Sequence, residues 1–371
     1  MFAATPDHEL LRDAARRFLD DRLPTTRVRA LMETGEFDRG LWAETAAMGW
    51  QGMAIPEAYG GAGYTVRELG VVLEELGRAL APLPFFSSVV LAAGIIELGG
   101  TEAQRAAFLP SLADGSTIGT LAVVEVDGSW LPTTPAVTAT PGAGGWVLTG
   151  EKRHVLDGHV ADRFVVLAAT AEGPDLFVVP ATAEGITVES VVTLDLTRPQ
   201  ATVRFDGVVV DAEARLGQPG GGLEVLERAY DRAAALLAYE QVGGAARCLE
   251  MSVAYAKERY QFGRPIGSFQ AVKHRCADML VALEGARSAA LYAGWAAAED
   301  PDELRIAAPV AKAFCSEAFF RIAADTIQVH GGIGFTWEHD AHLYLKRAKT
   351  DELLLGDPAR WRARLGDRLG L

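Results

Sequence analysis

Hydrophobic positions recur at helical spacing through the first part of the chain. Leu10, Leu11, Ala14 and Phe18 form one stripe. Thr5-Pro6-Asp7 starts it, because threonine accepts from first-turn amides and the following proline already holds a helical φ. Leu41, Trp42, Met48 and Trp50 continue the pattern. Beyond a glycine-rich turn at 60–63, Thr65 caps a helix carrying Leu69, Val72, Leu73, Leu76 and Leu80. Pro82 and Pro84 interrupt it. Residues 87–98 are apolar nearly all round, which predicts a buried helix, and Thr101 opens another over 101–112. Residues 1–115 thus predict an N-terminal α-helical domain.

From about residue 117 the pattern changes to short β-branched runs separated by glycine, proline and aspartate turns. They lie at 119–125, 136–140, 145–148, 163–167, 175–179, 186–188 and 202–205, and predict seven strands. This spacing suits a small β-sandwich or barrel over 116–217. Gln218-Pro219-Gly220-Gly221-Gly222 reads as the linker out. From there to Leu371 the helical period returns in long alanine-rich stretches, a C-terminal helical domain over 218–371. The fold class is α+β multidomain, in the order helical, β, helical.

Composition narrows the partners. The 371 residues are 49% hydrophobic and 23% charged, ordinary for a globular chain. A net charge of −14 repels nucleic acid and anionic membranes, so neither is expected as a partner. The three cysteines, Cys248, Cys276 and Cys315, have no metal-ligand spacing and fall in helical stretches. They predict buried free thiols, no metal site and a reducing compartment. The N-terminus does not read as a secretory signal, and no long apolar run is present, so a cytoplasmic location is expected.

The densest chemistry lies between Tyr255 and Met279. Here one helix closes near Arg259, Phe262-Gly263 breaks it, Pro265 and Gly267 hold a turn, and Ser268 is placed to cap the next helix. Arg259, Arg264, Gln270 and Lys273 gather around that junction. Two arginines and an amide beside helix-start N–H groups suit an anion such as a pyrophosphate.

The run from Arg259 to Gln270, R-x-x-F-G-x-P-I-x-x-F-Q, resembles a signature of the acyl-CoA dehydrogenase family of flavoproteins. Residues 328–338, QVHGGIGFTWE, resemble its second signature, and residues 55–63, IPEAYGGAG, its N-terminal loop. The three stand in family order and at family spacing over nearly the whole chain. The branch that includes actinobacterial steroid side-chain dehydrogenases is similar. The resemblance implies FAD as cofactor, an acyl-CoA substrate, a C-terminal four-helix bundle and a homo- or heterotetramer built as a dimer of dimers. It also implies an electron-transfer flavoprotein as electron acceptor. It makes Arg259, Phe262 and Gln270 contacts to the FAD pyrophosphate and adenosine, contributed to a neighbouring subunit. Gln328, Gly331 and Gly332 match residues near the adenosine end, although the glycines could simply end a helix.

In the β-domain the sequence departs from the family. Residues 124–130 and 152–156 stand where family motifs line the flavin ring. Val124 and Leu156 replace the threonines and His154 replaces a tryptophan, while Ser129 matches the motif serine. Backbone amides could still serve. His154 is either a ring contact or a structural histidine.

The base that takes the substrate α-proton is harder to place. Many relatives carry a glutamate after the last signature, and that slot holds Leu355, followed by Gly356 and Asp357. The slot used by other relatives falls at Ala233, beside Arg232. Glu240 lies seven residues further, two turns along the same face, in an apolar run. It is the first candidate for the base, and Asp357 is the alternative. Glu240 could equally pair with Arg247 or Arg232, and the chain could lack a base, as one subunit of some heteromeric bacterial relatives does. The expected reaction is α,β-dehydrogenation of an acyl-CoA thioester. The alternatives are a partner subunit, or acyl-CoA oxidase or nitroalkane oxidase chemistry on the same fold. Small residues at Ala233, Ala234, Ala235, Gly243 and Gly244 would either leave room for a bulky acyl group or let helices pack closely.

Overall fold

The structure, a computed structural model, describes residues 4–371. Its first part is helical: α1 (Pro6–Arg22), α2 (Thr25–Thr34), α3 (Arg39–Ala47), α4 (Val66–Arg78), α5 (Ala93–Gly99) and α6 (Glu102–Ala113). The strands follow as β1 (Gly119–Ala122), β2 (Thr138–Gly142), β3 (Gly145–Leu156), β4 (Arg163–Thr170), β5 (Gly173–Pro180), β6 (Ile186–Val191) and β7 (Gln200–Asp211). The last part holds α7 (Gly222–Glu258), a small hairpin of β8 (Tyr260–Gln261) and β9 (Arg264–Pro265), then α8 (Gln270–Glu299), α9 (Pro301–His330), α10 (Ala341–Leu353) and α11 (Pro358–Leu369).

Local chemistry sets the helix starts. Thr5 and Thr101 each form a reciprocal capping box, with His8 and Gln104 respectively, so α1 and α6 begin at the expected residues. The apolar stretch at 87–98 is buried, but it opens as a π-helical segment, Phe86–Ala92, before tightening into α5. Its Ser87 hydroxyl donates to the Asp157 carboxylate (2.6 Å), and Ser88 accepts from the Gly119 amide (3.1 Å).

Packing divides the chain into two compact units. One contains the described residues up to Glu33, Val66–Ala81 and Ala234–Leu371; the other contains Thr34–Thr65 and Pro82–Ala233. In the second unit the seven expected runs all fall on strands of one curled, mixed sheet in the order β1-β4-β2-β3-β7-β6, with β5 on β4. Phe164, Val166, Phe177, Val179, Val203 and Phe205 fill its core. β3 is longer than its apolar run at 145–148, because residues 149–156 continue along β7 through two register shifts. These shifts disturb the alternation by which a strand is read.

The first unit is organised by the close approach of α4 and α7. A β-carbon on Gly243 would lie 1.7 Å from the Glu74 carbonyl oxygen, and one on Gly77 would lie 2.1 Å from that of Glu240. On another side the Phe319 ring stands where a Gly244 β-carbon would project, 2.4 Å away. Ala234 and Ala235 are fully buried, as is Ala233 in the other unit. These small residues are filled by neighbouring chain, so Gly243 and Gly244 serve helix packing and open no acyl cavity.

Cys248 and Cys315 are buried free thiols, as expected, but Cys276 is only half-buried because the first turns of α8 are largely exposed. Among the described residues, no helix is long and apolar enough to cross a membrane. No group of three or more His, Cys, Asp or Glu residues among them is placed to hold a metal.

An alanine in mid-helix ordinarily gains up to about 1 kcal/mol over glycine. At Gly243 the clash outweighs that gain, and Gly243→Ala is expected to lose about 1–3 kcal/mol, read as a lower denaturation midpoint. An unchanged or raised midpoint would contradict the close-approach argument.

Candidate functional site

The residues between the ends of α7 and α8 form an exposed platform. Phe262 and Gly263 reverse the chain with φ of 53° and 76°, both in the left-handed region that a tight two-residue hairpin needs. The turn puts the Phe262 ring in solvent, 91% exposed. The ring meets Phe269 edge-on (6.0 Å), and the Arg264 guanidinium lies 4.1 Å from the Phe269 ring centre. Ser268 does not cap α8. It belongs to a 3-10 turn, Ile266–Ser268, and the extended Phe269 occupies the cap position with no side chain accepting from the first turn. The opening amides of a 30-residue helix thus lie free of side-chain acceptors beside exposed Arg259, Arg264, Gln270 and Lys273. That donor set suits a pyrophosphate.

The second signature meets the first. His330, at the end of α9, stacks on Tyr255 with ring centres 4.5 Å apart, and its Nδ1 donates to the Thr326 carbonyl (2.8 Å). His339 lies 4.3 Å from His330 on centres, and His342 stacks on Trp337 at 4.8 Å. Burial holds all three imidazoles below their usual range, with Lys346 and Arg29 adding to the effect at His342. Arg29 clamps the segment by donating to Asp340 Oδ1 (2.9 and 2.8 Å) and to the Trp337 carbonyl (2.7 Å). Gln328 is exposed. Gly331 takes φ 65°, ψ −141°, a conformation that excludes a side chain, and nothing lies within 4 Å of a β-carbon built on Gly331 or Gly332. Open glycine backbone, an exposed ring and clustered cations together fit a dinucleotide.

In the sheet unit, Ser129 closes a turn in which its amide donates to Asp127 Oδ1 (2.9 Å). His154 sits on the second irregularity of β3 with φ 50°, and its Nδ1 pairs with Gln200 Oε1 (2.8 Å). It is exposed.

Both carboxylates considered for the base have other partners. Glu240 is 3% exposed, and Arg347 Nη1 of α10 donates to its Oε1 (2.8 Å) from an equally buried position. The arginines named as its partners from sequence are engaged elsewhere. Arg232 pairs with Glu97 (2.5 Å) and Arg247 with Glu250 (3.6 Å). Asp357 caps α11, accepting from the Arg360 amide (2.8 Å). The leucine in the family's glutamate slot is buried and left-handed, with φ 63°, and its carbonyl accepts from Trp361 Nε1 (3.1 Å).

Sequence inspection missed Arg347 and Lys312. Arg347 is 107 residues from its partner, and only its place on the buried side of α10 ties it to Glu240. Lys312 lies in an alanine-rich run on α9, yet it is fully buried. Its ammonium donates to Ser316 Oγ (3.0 Å) and to the Asp351 and Glu352 carbonyls (both 3.1 Å), closing the end of α10 before the 354–357 turn. Burial pulls its pKa down to about 8, against the opposing carboxylates of Asp351 and Glu352.

Removing the Arg347 charge takes a counter-ion from the buried Glu240 carboxylate, so Arg347→Met is expected to lose about 3–5 kcal/mol, measured by denaturant unfolding. An unaffected midpoint would mean the pair is not formed. Lys312 makes a pH-dependent contribution. Its folded value lies below the unfolded one, so the unfolded chain binds more protons in between, and this part of the stability is complete above pH 10.5 and lost as pH falls through about 8. The stability of the wild type relative to Lys312→Met should rise by roughly 3 kcal/mol across that window. A flat difference would show that Lys312 does not titrate there.

Comparison with known proteins agrees with this arrangement. Residues 5–116 match the family profile for the acyl-CoA dehydrogenase N-terminal domain, and residues 220–370 match that for the C-terminal domain. The chain is 35% identical over 361 residues to acyl-CoA dehydrogenase IpdE2 of Mycolicibacterium smegmatis, covering 97% of each. It superposes on one chain of the ChsE4–ChsE5 complex of Mycobacterium tuberculosis with a TM-score of 0.91 at 33% identity, covering 100% of this chain and 99% of that one. A Tcur3481–Tcur3483 steroid acyl-CoA dehydrogenase variant gives 0.87 at 36%, covering 98% of both. The chain belongs to the acyl-CoA dehydrogenase family.

Proposed function

We propose that this chain is the FAD-binding subunit of an acyl-CoA dehydrogenase that oxidises the α,β bond of an acyl-CoA thioester, and that a second, different chain supplies the α-proton base. FAD, when bound, supplies the two-electron oxidation, taking the β-hydrogen as hydride. The chain's own residues bind and orient it. Arg259, Gln270 and the uncapped start of α8 hold the pyrophosphate, Phe262 packs on the adenosine of a neighbouring subunit, and Gln328, Gly331 and Gly332 border the adenosine end. Ser129 and His154 lie toward the flavin ring. The acidity of a thioester α-proton is low, so the base must stand close to that carbon with an unengaged carboxylate.

One observation carries the reading. Glu240 is committed to Arg347, Asp357 caps a helix, and the family's glutamate slot holds Leu355. Two of the similar solved structures, ChsE4–ChsE5 and Tcur3481–Tcur3483, carry paired names, which supports a heteromeric assembly. Electrons would leave to an electron-transfer flavoprotein.

The test is an anaerobic visible spectrum of the purified chain with a panel of acyl-CoA thioesters. The chain alone should be yellow and should keep its absorbance near about 450 nm, the region of oxidised flavin. Leu355→Glu, which puts a carboxylate in the family's glutamate slot, should gain bleaching. Bleaching by the wild-type chain alone, abolished in Glu240→Gln, would instead make Glu240 the base and overturn the proposal.

A further inference from the structure

The sheet unit contains a buried ion pair that no step above uses. Lys152, on β3, is wholly buried. Its ammonium donates to Glu125 Oε1 and to the Val123 carbonyl (3.3 Å). The same Oε1 also accepts from the Ala136 amide (3.1 Å). Glu125 Oε2 is buried and accepts from nothing, so a single oxygen carries both of the carboxylate's contacts, to Lys152 and to the Ala136 amide.

What that oxygen joins is specific. On one side is the turn after β1, in which Gly128 donates to the Glu125 carbonyl (2.9 Å) and the Glu125 amide donates to the Ser129 carbonyl (3.2 Å). Ala136 marks where the chain leaves this loop for β2. On the other side is β3, where the Arg153 amide donates to the Val124 carbonyl (2.9 Å) and the strand then shifts register at His154. The loop borders an open cleft of about 470 Å³ lined by Glu125, Asp127, Ser129, Thr133 and Thr134, among others. The Glu125 carboxylate, beside the backbone bond from Arg153 to Val124, is thus a side-chain tie between the loop that carries Ser129 and the strand that carries His154.

We propose that Glu125 is a positioning residue for FAD: paired with Lys152, it locks the 125–136 loop to the 152–154 segment and so fixes the groups that meet the flavin ring. This rests on the assignment of Ser129 and His154 to the FAD site. The local chemistry shows why an ion pair is used here. Burial draws the Lys152 ammonium below its ordinary value while Glu125 opposes the shift, so the carboxylate favours the charged form that donates to it. A buried pair is a poor source of stability compared with apolar side chains of similar volume, but it is directional. Apolar side chains would fill the space and leave the Ala136 amide without the acceptor that ties its end of the loop to Lys152.

That difference separates positioning from mere support. The double variant Glu125→Leu/Lys152→Met should keep its thermal midpoint, followed by circular dichroism, while the stripped protein binds FAD about tenfold more weakly or worse. The bound flavin should also show a shifted visible spectrum and midpoint potential. Ala136→Pro keeps both charged residues and removes the amide tie, while also fixing φ at 136; it should move the flavin readouts in the same direction, and it decides the matter if the double variant does not fold. Wild-type FAD affinity, spectrum and potential in either folded variant would overturn the proposal. A wild-type chain that binds no FAD at all would overturn the cofactor assignment itself, a separate result.

Discussion

The helical unit depends on how closely two helix backbones can approach. α4 and α7 touch at Gly77 and Gly243, where the carbonyl oxygens of Glu240 and Glu74 occupy the space that β-carbons would need. At that separation the side chains around the crossing have no freedom to splay, and the charged ones are enclosed. Glu74 and Glu75 are buried and answered by Arg12 and Arg16 from α1, while Glu240 is answered by Arg347 from α10. An ion pair enclosed in this way carries a large desolvation cost and is held by geometry. The glycines come first in this order of causes, and the buried charges follow from them.

Glu240 illustrates the consequence for chemistry. From its surroundings in sequence, an acid amid alanines and leucines, it reads as a group strained toward function. The fold supplies a guanidinium from a helix that sequence spacing does not connect to it. The same enclosure that would perturb an isolated carboxylate here binds it. A base must be able to reach a carbon atom and let go of its counter-ion, and in this structure the Glu240 carboxylate is held by Arg347 instead.

Local chemistry was readable wherever a local interaction decides the outcome. Thr5 and Thr101 cap helices because their partners lie three residues away, and the seven β-branched runs become strands because alternation is a nearest-neighbour property. Ser268 misled for the same reason: a cap residue is suggestive, but the extended Phe269 ended up in the cap position. β3 was underestimated because its irregularities break the period that identifies a strand. The three signatures located the platform at the end of α7 and the glycines after α9. The contact that joins them, Tyr255 on His330, was not legible, because a ring–ring stack across 75 residues leaves no periodic trace. Long-range partnerships, Glu240 with Arg347 and Lys312 with the end of α10, stayed hidden for that reason.

The platform also bears on how the chain lives before it meets anything. Phe262, Phe335 and Trp337 all stand in water, on turns and at a helix end rather than scattered along a polar face. Every such ring left hydrated is surface that an assembly contact can withdraw from solvent, and that gain belongs to the assembled state alone. If that surface is covered by a second chain, the thermal midpoint becomes a property of concentration as well as of sequence. Dilution would then lower that midpoint with no residue changed, a dependence that a core mutation does not have.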